Sequence, residues 1–274
     1  MPRIAVGIEY DGSAYAGWQT QASAPSVQSV VAAAIGRVAD HAVAVTSAGR
    51  TDAGVHALGQ VAHFDTEAVR SARAWALGTN TNLPNDVAVL WAHEVPEEFH
   101  ARYSAVARTY RYVILNRPVR PALTRQRVCW IHGPLDAARM QQAAQHLIGE
   151  HDFSAFRAAE CQSRTPMRCV ERILVTRSGE HLTIDVTANA FLHHMVRNIA
   201  GVLIEVGTGE AEPDWARAVL ASRDRSVAAV TAPAGGLYLM HVAYPGHFQL
   251  PQRPDGALDL SVLSVSKLGT GLSV

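Results

Sequence analysis

Two stretches of this chain carry the same order of strand and helix signals, and that repetition limits the fold more than any single motif does. In the first, residues 3–10 alternate weakly as a strand. Val27, Val30, Val31, Ala34, Ile35 and Val38 then recur at helical spacing behind Ser26, whose hydroxyl suits an N-cap. Residues 42–48 and 55–65 read as strands, 67–78 as a helix and 87–95 as a strand. In the second, residues 107–115 read as a strand and 136–148 as a helix. Residues 170–176 and 182–187 read as strands joined through Ser178-Gly179-Glu180. A helix over 191–206 follows, with Val196, Ile199, Leu203 and Val206 at core spacing, then a short helix over 214–220 and a closing strand over 237–242. Each stretch is β-α-β-β-α-β. The expected class is therefore α+β, built from two ferredoxin-like halves. The repeat is one of topology, without a matching repeat of sequence.

The halves are expected at residues 1–104 and 105–245, followed by a peripheral tail at 246–274 whose Gly, Pro, Ser and Leu show no period. At 274 residues, 48% of them hydrophobic, the chain can bury a substantial core. Its first residues lack the apolar core of a secretory signal, and its most apolar long stretch, residues 199–206, is too short to span a bilayer. Cys129, Cys161 and Cys169 have no C-x-x-C spacing, which argues against a disulfide framework or thiolate metal site and predicts a cytoplasmic setting.

The formal net charge is zero, yet it is unevenly spread. Residues 1–98 carry 5 basic and 10 acidic side chains, and residues 99–177 carry 13 and 5. No acid occurs between Phe99 and Leu135, where seven arginines interleave with Tyr103, Tyr110 and Tyr112. Arginine forks pair with phosphates and aromatic rings stack on bases, so this pattern points to nucleic acid. A solvated strand face is the competing interpretation.

Residues 47–60, Ser-Ala-Gly-Arg-Thr-Asp-Ala-Gly-Val-His-Ala-Leu-Gly-Gln, set Asp52 between a cation and glycines in a turn between strand-like runs. Gly49 and Gly54 permit close backbone approach. Arg50, two residues away, can project on the same side as Asp52, and a nearby guanidinium favours an ionised carboxylate. Taken alone, Gly-Arg-x-Asp is also what an ordinary surface turn contains.

The longer run resembles the signature of the tRNA pseudouridine synthase A family, and other elements follow in order. They are Tyr10-Asp11-Gly12-Ser13 with Tyr15 and Gly17-Trp18-Gln19; Ser26-Val27-Gln28; and Phe99-His100-Ala101-Arg102-Tyr103-Ser104 with Arg108-Thr109-Tyr110-Arg111-Tyr112. His151-Asp152-Phe153 with Phe156-Arg157 and Cys161 comes next, then Phe191-Leu192-His193-His194-Met195-Val196-Arg197-Asn198 and Gly236-Leu237-Tyr238-Leu239. Gly235 departs from the more usual acidic or polar residue, and nothing after Tyr244 matches.

The resemblance implies one extended, mostly antiparallel sheet with helices on one face and a central basic cleft. It implies isomerisation of uridine to pseudouridine at positions 38, 39 and 40 of the tRNA anticodon stem-loop, by a homodimer and without a cofactor. Asp52 would be the catalytic carboxylate, either attacking C1′ or removing the C2′ proton. Arg50 would orient it. Tyr110 would stack on the uracil and serve as the C5 base, although an unperturbed phenol with a pKa near ~10 is a weak base at neutral pH. Leu237 would pack on the flipped base, and Arg102, Arg108, Arg111 and Arg197 would offset the cost of flipping through phosphate contacts. His56, His193 and His194 lack the spacing of a metal motif, so no metal is expected. Two other classes compete: an RNA-binding module without chemistry, and an unrelated metabolic enzyme using Asp52 as a base.

Overall fold

The computed structural model describes residues 1–251. Its first part runs β1 (Arg3–Tyr10), α1 (Val27–Ala39), β2 (Thr46–Ser47), β3 (His56–Asp65), α2 (Ala72–Asn80) and β4 (Val87–Val95). The second part starts with β5 (Ala107–Asn116), β6 (Cys129–Ile131), α3 (Ala137–Gln145), β7 (Gly149–Asp152) and β8 (Met167–Ser178). It ends with β9 (His181–Ala188), α4 (Met195–Thr208), α5 (Trp215–Ser222) and β10 (Leu237–Ala243).

All ten strands form one sheet, with the path β4-β1-β3-β10-β5-β9-β8-β7; β2 joins β3 and β6 joins β5 from beside it. Counting only the four strands of each predicted unit, both halves have the order fourth, first, third, second. The junction is β10, the last strand among the described residues. It pairs antiparallel with β5 and, for a short stretch at Tyr238–His56 and Leu239–Ala57, parallel with β3. The β5–β6 contact is also parallel; the remaining ladders are antiparallel.

Period-two alternation sorts the side chains between the two faces. Tyr110, Tyr112 and Ile114 of β5 and Leu237 and Leu239 of β10 join the main core, together with buried residues from all five α-helices. Val113, Leu115, Tyr238 and Met240 form a separate cluster with Val128 and Leu58. The helices therefore cover one face, and this smaller cluster lies on the opposite one. Among the described residues, no helix is long and apolar enough to cross a membrane.

Several boundaries differ from expectation for identifiable reasons. Ser26 does cap α1, its hydroxyl accepting from the Ser29 N–H at 3.2 Å. The strand predicted over 42–48 shrinks to Thr46–Ser47. The helix predicted from residue 67 begins at Ala72, because Ser71 caps it by accepting from the Ala74 N–H. The helix predicted from 191 begins at Met195, because His194 takes a left-handed conformation with φ 62° and turns the chain. Strands β6 and β7 had no periodic signal at three and four residues. Beyond residue 245, Phe248 is buried against Phe99 with ring centroids 5.1 Å apart. The rest of the expected tail, from 252 on, lies outside the described residues.

Candidate active site

The turn holding Asp52 is built by residues far from it in sequence. The β2–β3 ladder continues through the Ala48 N–H donating to the Val61 carbonyl at 2.7 Å, and then opens. Gln60 reaches from β3 to donate to the Gly49 carbonyl at 2.8 Å. The opening segment of the chain supplies the rest. Trp18 N–H donates to the Thr51 carbonyl, the Tyr10 hydroxyl bonds the Thr51 hydroxyl at 2.8 Å, and the Gly54 N–H donates to the Tyr15 carbonyl. Gly17 has φ 101°, and a Cβ there would stand 2.6 Å from the Thr51 carbonyl oxygen, so only glycine allows this approach. The Tyr10–Gln19 and 47–60 motifs are thus one structure.

His56 closes the same turn. Its Nδ1 accepts from the Gly12 N–H at 3.0 Å, which makes Nε2 the protonated nitrogen, donating to the Gln126 carbonyl at 3.0 Å. Burial lowers its pKa, in keeping with this neutral tautomer. Asp11 lies 3.1 Å from His56 and 2.7 Å from Arg127 across the halves. Burial alone would raise the Asp11 pKa; hydrogen bonds from Ser13 and Arg127, aided by His56, bring it down to about 2.

Asp52 meets the second half at the start of α4. Its Oδ1 is 3.2 Å from His193 Nε2; its Oδ2 is 3.4 Å from His194 Nε2 and 3.2 Å from Arg197 Nη1. Arg197 is also anchored through Nε to the Ala232 carbonyl at 2.8 Å. The arrangement places an anion beside a fixed guanidinium and the positive end of a helix. The Asp52 side chain keeps 23% of its surface exposed, so it remains open to a substrate.

Tyr110 stands on the helix-covered face of β5, edge-on to Phe191 with ring centroids 5.0 Å apart. Its hydroxyl would be 3.8 Å from a Cβ on Gly49, which puts it under the Asp52 turn. Burial, reinforced by Tyr10 and the Asp52 charge, pushes the Tyr110 phenol well above its ordinary pKa. Leu237 opens β10 on the same face, opposite Tyr112 in register, and is buried.

The arginines divide differently from the sequence expectation. Arg50, expected to orient Asp52, is exposed and makes no ion pair among the described residues; Arg197 occupies that position instead. Arg108, expected at phosphates, is turned inward. Its guanidinium donates to four carbonyls: Ala48 at 3.2 Å, Arg102 at 2.6 Å, Ala105 at 3.1 Å and Asn189 at 2.9 Å. It therefore ties the Asp52 turn to the segment before Phe191. Arg111 projects from the face opposite Tyr110 and forms a two-pronged pair with Asp185 at 2.6 and 2.9 Å. Arg102 alone of the four expected contacts is exposed, with its guanidinium 5.6 Å over the Tyr103 ring. Much of the acid-free basic stretch is thus consumed internally, Arg117 by Glu180 and Arg127 by Asp11 included.

The pairing of Arg197 with Asp52 crosses 145 positions, and no spacing in the chain announces it. The available signal was local: His193, His194 and Arg197 fall within five residues of one another beside a predicted helix.

Comparison with known proteins identifies the family. A family model described as tRNA pseudouridine synthase matches residues 7–104 and 143–245. Proteins named tRNA pseudouridine synthase A are similar along nearly their whole length. That of Coxiella burnetii is 58% identical over 256 residues, covering 93% of this chain and 98% of the relative. That of Vibrio cholerae is 57% identical over 258 residues, covering 94% and 98%. That of Methylococcus capsulatus is 58% identical over 248 residues, covering 90% and 92%. With identity this high across both halves, and with the Asp52 turn inside the matched residues, the chain belongs to the tRNA pseudouridine synthase family.

Proposed function

We propose that this chain uses Asp52 to convert uridine to pseudouridine at positions 38, 39 and 40 of the tRNA anticodon stem-loop, acting as a cytoplasmic homodimer. The coarser activity follows from the family: the chain is an isomerase that forms pseudouridine from uridine in tRNA. The observation that carries the finer assignment is the Asp52 carboxylate held by Arg197, His193 and His194 where the two halves meet.

The reaction breaks the N1–C1′ bond, turns the base and joins C5 to C1′, with no net redox change. It needs an anion at the sugar, which Asp52 supplies by attack at C1′ or by removal of the C2′ proton. Arg197 holds that anion in place. Tyr110 and Leu237 offer a flat ring and an aliphatic edge to the extruded uracil. With its pKa raised by burial, Tyr110 works as a neutral stacking phenol, and any C5 deprotonation through it requires a partner to take up the proton. Of the arginines placed around the site, Arg102 and Arg50 are exposed and can meet phosphates. Residues 1–104 carry the carboxylate turn and 105–245 complete the cleft.

Release of tritium from C5-labelled uridine in unmodified tRNA tests the assignment. Wild type releases it; Asp52→Asn does not, while binding the same tRNA within a few-fold. Release by Asp52→Asn at the wild-type rate would remove Asp52 from the chemistry. Stem-loops carrying their only uridine at 38, 39 or 40, or one pair further along, map the positions.

A further inference from the structure

Asp52, His193 and His194 are the one group of three metal-competent side chains that converge among the described residues, with donor atoms all within 4.8 Å of one another. His193 Nε2 lies 3.2 Å from Oδ1 and His194 Nε2 3.4 Å from Oδ2, so the two rings approach different carboxylate oxygens, and a small carboxylate rotation would bring one oxygen and both nitrogens around a single small ion. Bonds of about 2.0–2.1 Å at tetrahedral angles space donors by about 3.3–3.4 Å.

The two imidazoles are set by backbone and not by chance rotamers. His194 sits at φ 62°, at the cap of α4, and its side chain makes no capping bond. The His193 carbonyl accepts from the Ala158 N–H at 3.0 Å, and its own N–H reaches Cys161 Sγ at 3.4 Å. Consecutive rings, 4.1 Å apart, therefore face one carboxylate from adjacent positions. All three side chains are partly exposed, which leaves an entry path and an open fourth coordination position.

We propose that Asp52, His193 and His194 form a three-ligand site for a borderline divalent transition ion, represented by zinc, whose binding excludes RNA from the same carboxylate. Arg197 and the α4 N-terminus repel any cation here, so hard, carboxylate-dependent ions such as magnesium gain too little to bind. An ion bound largely through imidazole nitrogen overcomes that repulsion. On binding, the ion takes one carboxylate oxygen while Arg197 keeps the other, which leaves Asp52 without a free oxygen directed at the sugar. The binding rests on geometry alone; the loss of turnover rests on Asp52 being the catalytic carboxylate, so the two are measured separately.

Titration calorimetry of the chelator-treated full chain with zinc chloride reads the binding, with cobalt(II) absorption reporting coordination geometry. The expected result is one ion per chain. Affinity should fall at least ~10-fold in His193→Gln, His194→Gln and Asp52→Asn, with no change in Cys169→Ser. Circular dichroism identifies any variant that fails to fold, and Asp52→Asn, in an open turn, provides the test if His194→Gln does. Unmodified tRNA should weaken zinc binding, and zinc should stop tritium release reversibly on chelation. Equal zinc affinity in folded histidine and aspartate variants, or loss of binding in Cys169→Ser, overturns the site. Zinc bound at these ligands with tritium release undiminished overturns the exclusion and the catalytic reading of Asp52 together.

Discussion

The two halves share a strand order, yet their second and third strands are joined in opposite ways. In the second half, β8 and β9 pair along their length and turn through Gly179 and Glu180, with Gly179 at φ 59°. In the first half, β2 keeps only Thr46 and Ser47, and residues 48–55 swing away carrying Asp52. The cause lies at the edge of the third strand. Nothing competes with β8 for β9, whereas β10 takes the start of β3 at His56 and Ala57 and leaves β2 only Ala62 and His63. The Asp52 turn is thus what one half yields when the other inserts a strand beside it. The turn is then rebuilt by Trp18, Gln60 and Arg108, which supply the hydrogen bonds a ladder would have given.

The strongest test of this contrast separates the cation on the carboxylate from the cation beside it in sequence. Arg197→Gln should lower kcat by about 10²–10³-fold, the size of losing one preorganised charge contact at a reacting centre. Arg50→Gln should raise KM a few-fold and leave kcat near wild type. Equal kcat losses in steady-state assays would place both at the reacting group. Next, Arg108→Ala leaves four carbonyls short of a donor, and should cost about 2–3 kcal/mol in urea unfolding. Turnover should fall with it while the salt dependence of tRNA binding stays unchanged. A flattened salt slope at full stability would return Arg108 to the phosphates.

Acid should weaken the first half before the second. Burial, with Arg3 and His100 adding to it, lowers the His63 pKa to about 4. The neutral ring accepts from the Ala101 N–H at 3.2 Å. Below its ordinary pKa of 6.5 the unfolded chain binds the proton that folded His63 refuses, so stability is full above that pH and declines toward 4. The loss should be roughly 2 kcal/mol after solvent screening. It is read by unfolding at pH 7 and 4.5 beside His63→Gln, and an identical pH dependence in that variant would exclude His63 as the source. The smallest effect concerns the two sheet faces. Arg102→Ala should reduce the salt slope of tRNA binding by about one, and Arg111→Ala should leave it unchanged.

Much of the framework was legible because local signals and tertiary demands coincide. β1 and β4 fall where the sequence reads as strand, and Ser26 caps the helix its position announces. The Asp52 turn was legible as a motif. Its surroundings were not, since Arg197 approaches from the second half and β2 is cut short by a strand from the end of the chain. The fate of Arg111 was within reach: neighbours in a strand face opposite ways, so assigning Tyr110 to the base already sends Arg111 to the other side. Arg108, by the same rule, shares Tyr110's face, but only the folded chain shows four carbonyls gathered around it. Local composition gave these arginines one common character, and tertiary partners gave them several.

The position of β10 has a consequence for biosynthesis. The strand that lies between the halves leaves the ribosome after every other strand of the sheet. Until it emerges, β3 and β5 both expose an unsatisfied edge, and the carboxylate turn has no second half to close upon. The nascent chain must therefore hold two incomplete sheets apart until residues 237–243 arrive and join them, so competence to modify RNA comes only when nearly all of the described chain has been made.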